Sequence, residues 1–71
     1  MIDWTLAARV EMEEGQADIQ TAPVEGGYIG RALLPGWPPL EDPTFVSQSP
    51  RAAAEHVMAL IGELADDARH H

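Results

Sequence analysis

Gly26-Gly27-Tyr28-Ile29-Gly30-Arg31-Ala32-Leu33-Leu34-Pro35-Gly36 decides the fold. It reads as a turn, a strand and a sharp stop. Glu25-Gly26-Gly27 is a turn signal. In an extended chain, side chains alternate between two faces. Tyr28, Gly30, Ala32 and Leu34 then share one face of this strand, and Ile29, Arg31 and Leu33 share the other. Glycine inside a strand marks a bulge or a close backbone approach, which is the expectation at Gly30.

Working outward, residues 4–13 alternate in the same way. Trp4, Leu6, Ala8, Val10 and Met12 fall on one face, and Thr5, Ala7, Arg9, Glu11 and Glu13 on the other. This pattern predicts a strand with one buried face. Glu14-Gly15 makes a turn. Residues 16–24 then predict a shorter second strand, with Pro23 at an edge or an end because it donates no ladder hydrogen bond. Downstream, residues 34–43 carry four prolines and read as a stiff loop unfit for a sheet interior. Residues 44–48 predict a last short strand.

Ser49-Pro50 opens a helix: serine accepts a hydrogen bond from a free N–H, and proline at the first helical position loses nothing. The helix runs from Arg51 to about Ala68, with an apolar stripe at Ala53, Val57, Leu60, Ile61, Leu64 and Ala68. Gly62 marks a position where helix and sheet could approach. Asp66, Asp67 and Arg69 face water. The expected architecture is α+β: a small antiparallel sheet of three to four strands, followed by one C-terminal helix packed on one face. It forms a single domain over residues 1–71. The far face of the sheet, with Thr5, Ala7, Ile29 and Leu33, lacks a local cover.

Twelve acidic residues stand against four arginines, with no lysine, and the formal net charge is −8. The arginines, at 9, 31, 51 and 69, are dispersed. No basic patch exists to neutralise phosphates, which argues against direct nucleic-acid binding and against an anionic membrane surface. A basic protein partner fits this charge, although acidity also serves simple solubility. Cysteine is absent, so no disulfide or thiolate site staples this small domain. The N-terminus shows no signal-peptide pattern and no apolar run approaches a bilayer span, so a cytoplasmic location is expected. Exposed sheet edges invite pairing, which makes a homodimer an expectation.

Gly26-Gly27-Tyr28-Ile29, Leu34-Pro35-Gly36, Phe45-Val46-Ser47-Gln48-Ser49 and Ala52-Ala53-Ala54-Glu55 occur here in an order that resembles the HicB antitoxin domain. The resemblance spans nearly the whole chain, with residues 4–12 as the first strand. It implies a reduced RNase-H-like sheet with a helix, and a module that neutralises a basic RNA-cleaving toxin. The family's DNA-binding C-terminal domain has no counterpart here, so operator binding is not expected.

Catalytic signals are sparse, and a non-enzymatic protein without cofactor or metal is expected. There is no nucleophile-elbow pattern. His56, beside Glu55 on the helix, reads as a boundary residue. Glu11, Glu13 and Glu14 resemble a carboxylate cluster, but a solvated strand face is the default reading and no converging ligands can be named. Asp66, Asp67, His70 and His71 have metal-binding chemistry, yet a frayed terminus is the plainer reading. Trp4 and Tyr28 read as core or sheet-edge residues.

Trp37 sits among Pro35, Pro38 and Pro39. An aromatic on a stiff loop loses little entropy on binding and makes a good anchor, unless it folds back as a lid on the core. The candidate partner-binding residues are therefore Trp37, Leu40, Glu41 and Asp42 in the loop, with Glu11, Glu13 and Arg31 on the open sheet face. The expected function is that of an antitoxin-like inhibitor of a basic protein. A phage-encoded inhibitor of a host protein, one version of which uses carboxylates to mimic nucleic acid, is the alternative.

Overall fold

The computed structural model describes the backbone of residues 2–42 and 44–69, and the side chains of these up to residue 64. Its elements are β1 (Thr5–Met12), β2 (Gly15–Val24), β3 (Gly27–Leu33), β4 (Leu40–Glu41) and α1 (Pro50–Arg69). The strands form one antiparallel sheet in the order β1-β2-β3-β4, and the single helix packs against it. The α+β architecture read from the sequence is therefore present. Pro43, His70 and His71 lie outside the described residues, as do the side chains of Asp66, Asp67, Ala68 and Arg69.

Pro23 sits in β2, between two strands, and is tolerated for a local reason. The β1 ladder ends at Thr5 opposite Thr21, so β2 has no β1 neighbour beyond that point. Pro23 pairs with Tyr28 on its other side. The proline thus occupies a stretch that is an edge on one side.

The helix begins as its cap demands. Ser49 Oγ accepts from the Ala52 N–H at 3.2 Å, and the Ser49 carbonyl accepts from the Ala53 N–H at 3.1 Å. Ala53, Ala54, Val57 and Ile61 are buried, whereas Leu60 is only half-buried. Ala54, Val57 and Ile61 close a core with Ala17, Ile19, Ala32 and Leu34. Ile19 and Val57 are its largest fully enclosed side chains, each contributing on the order of 1.5–3 kcal/mol.

Three expectations are corrected. The fourth strand is Leu40–Glu41, not residues 44–48. Leu40 and Glu41 pair with Ala32 and Arg31 at the outer edge of β3, where a proline-rich segment can still pair. The chain then leaves the sheet because Asp42 redirects it: the Asp42 carbonyl accepts from the Phe45 N–H, and its carboxylate from the Thr44 N–H and hydroxyl. Such local side-chain bonds compete with a ladder. Only Ser47 returns, exchanging two 2.8 Å backbone hydrogen bonds with Tyr28.

The second correction concerns β1. Leu6 pairs with Gln20 but Ala8 pairs with Ile19, so Ala7 is an inserted residue, a β-bulge. A single insertion exchanges the faces of everything before it. Ala8, Val10 and Met12 point toward the helix as expected. Trp4 and Leu6 move to the open face, and Thr5 moves to the helix side, opposite buried Thr21.

The close approach of helix and sheet occurs at Gly30, not at Gly62. A Cβ on Gly30 would lie 2.7 Å from Val57 Cγ2 and 2.8 Å from the Ala53 carbonyl oxygen, whereas one on exposed Gly62 meets nothing within 4 Å. The two glycines should answer oppositely to alanine. Gly30→Ala is expected to lose about 1–3 kcal/mol by overpacking, and Gly62→Ala to gain roughly 0.5–1 kcal/mol from helix propensity. Urea denaturation of both variants tests this, and equal responses would contradict the packing described.

Candidate functional site

Leu34-Pro35-Gly36-Trp37 builds the most distinctive surface. The Trp37 N–H donates to the Leu34 carbonyl at 3.2 Å, closing a tight turn. Proline presets the first central residue, and Gly36 takes φ +73° at the second, the arrangement of a type II turn. The turn projects Trp37 outward, 59% exposed. Trp37 is therefore not a lid closed over the core.

Beside this turn runs an open groove of about 570 Å³. Residues 10–14 form one wall, Leu34, Pro35 and Trp37 a second, and Ile61 and Leu64 of α1 a third. Its lining is largely apolar, and Glu13 and Glu14 stand in the β1–β2 turn at its rim. The fold thus gathers Trp37, Glu11 and Glu13, which lie far apart in sequence. By register Glu11 points to the open sheet face while its neighbours Val10 and Met12 point to the helix side.

On the open face, Arg31 is held on two sides. Its guanidinium stacks over the Trp4 ring, 4.1 Å from the centroid, and its Nε donates to Gln20 Oε1 at 2.8 Å. Cation–π contact and a hydrogen bond together fix a long side chain that would otherwise sample many rotamers. Glu41 stands opposite Arg31 in register, and Arg9 meets Asp18 at 3.4 Å. Ala22 lies on this face yet is only 1% exposed, so the face is partly covered. Sequence alternation missed Trp4 because the bulge at Ala7 leaves no signal in residue type.

Leu40 and Asp42 are committed to the fold. Leu40 packs against the core from β4. Asp42 Oδ2 lies 3.1 Å from His56 Nε2, and the Phe45 ring stacks on His56 with centroids 3.7 Å apart. These contacts strap Asp42 and Phe45 onto the helix. Among the described residues, no three His, Cys, Asp or Glu side chains converge as a metal-holding group. No helix in the described residues is long and apolar enough to cross a membrane.

Hydrogen bonds from the Thr44 side chain first, then from His56, hold the Asp42 carboxyl below its ordinary value of 3.8. A depressed carboxyl pKa means that the unfolded chain takes up the proton first. The stabilisation is thus complete above the ordinary value and is lost as pH falls through the lowered one. Wild-type protein should therefore lose stability more steeply below about pH 4 than Asp42→Asn. Denaturation midpoints measured from neutral pH downward test this, and parallel curves for the two proteins would refute it.

No protein-family model matches this chain, and comparisons with curated proteins and with solved structures likewise find no match.

Proposed function

We propose that this chain is a non-enzymatic protein-binding domain, an antitoxin-like inhibitor that blocks a basic partner such as an RNA-cleaving toxin. The groove at Trp37 carries the reading. An apolar channel with carboxylates at its rim suits a partner segment that offers an apolar side chain flanked by arginine or lysine. Trp37 is held by a tight turn, so little order remains to be imposed when it is covered. The net charge of −8 favours encounter with a basic surface and disfavours competition for its RNA. The resemblance to HicB antitoxins supports the same reading through its Gly-Gly-Tyr strand, its Leu-Pro-Gly turn and the helix that follows.

Inhibition here is occlusion. The domain covers the partner's cationic surface and supplies no group to a reaction. Trp37, Glu13 and Glu14 make the direct contacts, with Glu11 at the margin. Arg31 and Glu41 border the opposite face, and Leu40 and Asp42 act by holding the scaffold.

Capture from the source cell with the intact chain is expected to return a basic ribonuclease, whose RNA cleavage stops when the chain is added back. Recovery of only acidic or non-nucleolytic partners would overturn the reading. Trp37→Ala and the pair Glu13→Lys/Glu14→Lys should each weaken that complex by about tenfold or more, an effect of hot-spot size. Exposure of all three side chains predicts little change in stability. Unaltered affinity in both variants would remove the groove from the interface.

A further inference from the structure

We propose that the chain pairs with a second copy of itself along the free edge of β1, in a two-fold antiparallel register centred on Val10. Among the described residues, β1 is bonded on one side only. The bulge at Ala7 interrupts it, and the regular stretch that remains is Ala8 to Met12, whose midpoint is Val10. A two-fold axis normal to the sheet keeps both helices on the same side, so only residues on the same face can oppose each other.

This register is self-complementary in charge. It places Arg9 opposite Glu11 of the partner subunit, and Glu11 opposite the partner's Arg9, all on the open face. Opposite charges directly across an antiparallel pair are favourable, and like charges are not. Moving the centre by one residue loses this. Centred on Arg9, the two arginines confront each other, and centred on Glu11, the two glutamates do. Arg9 already lies 3.4 Å from Asp18 of its own chain. Pairing would set each guanidinium between two carboxylates and offset locally the repulsion between two acidic subunits.

On the helix side the same register completes an unfinished strip of core. The helix lies chiefly over β3 and β2 and only grazes β1. Ala8, Val10 and Met12 are consequently half-buried at the margin of the core. In the pair, Val10 meets Val10 of the partner subunit and Ala8 meets the partner's Met12. Apolar side chains then oppose one another along the whole regular stretch.

Sedimentation across a concentration series tests this with the intact chain. Wild type should pass from monomer to dimer. Arg9→Glu and Glu11→Arg should each weaken association by about tenfold or more, and the double variant Arg9→Glu/Glu11→Arg should restore it. Circular dichroism confirms that each variant folds. If Arg9→Glu misfolds through its new neighbour Asp18, Glu11→Arg carries the single-variant arm and backbone amide protection across residues 8–12, rising with concentration, replaces the rescue. A wild type that stays monomeric, or single variants that associate as well as wild type, would overturn the proposal, as would failure of a folded double variant to recover. Monomer throughout would leave the edge to a foreign strand.

Discussion

The contact of α1 with Gly30 governs the rest of the structure. Val57 and the Ala53 carbonyl occupy the space where a side chain would stand. The helix backbone can approach β3 closely only because that space is free. This one approach fixes which strands the helix covers. It sits over β3 and β2, where Ile19, Ala32 and Val57 close the core, and it leaves β1 at the margin. A bulkier residue at position 30 would lift the helix off the core of a domain with no disulfide to restrain it. The uncovered surfaces, the groove below Trp37 and the edge of β1, are what remains once that contact is made.

Much of the architecture was legible in residue type. Alternation located β1 and β2, the glycine pair located the turn before β3, and Ser49-Pro50 marked the start of the helix. These signals are local, because each follows from what one residue permits its own backbone. The error at β1 has a different origin. Alanine at position 7 is compatible with a regular strand, and the inserted residue is defined only by the partner strand it slips against. The misplaced fourth strand is similar. Phe45-Val46 has strand-like composition, but the Asp42 carboxylate takes the Thr44 N–H, and stacking on His56 draws Phe45 to the helix.

The candidate site was legible only in pieces. Trp37 stood out because prolines surround it, and the tight turn explains its exposure in terms of Pro35 and Gly36. Its proximity to Glu13 and Glu14 arises from the β1–β2 turn and the end of β3 meeting at one end of the sheet. No spacing in the chain announces that meeting. Asp42 and Leu40 looked like surface residues of a loop. They serve the scaffold because β4 forms where a loop was expected, carrying Leu40 inward and leaving Asp42 within reach of His56. Trp4 and Gln20 became neighbours of Arg31 through the bulge and through cross-strand register, neither of which a single strand reveals.

The two uncovered surfaces share residues 10–12 yet make different electrostatic demands. At the groove, Glu13 and Glu14 stand in a turn, and no cationic side chain among the described residues forms an ion pair with them. Along β1, Arg9 and Glu11 alternate with apolar neighbours, a pattern that a copy of the same strand can balance. Side-chain alternation separates the charged groups from the shared apolar ones: Arg9 and Glu11 turn away from the helix, whereas Val10 and Met12 turn toward it and belong to both surfaces. Dimerisation through β1 would consume the one local charge alternation on that edge and leave the carboxylates of the turn unmatched. Self-pairing and capture of a basic partner are therefore independent in charge, since satisfying the first does nothing to satisfy the second, while Val10 and Met12 serve both.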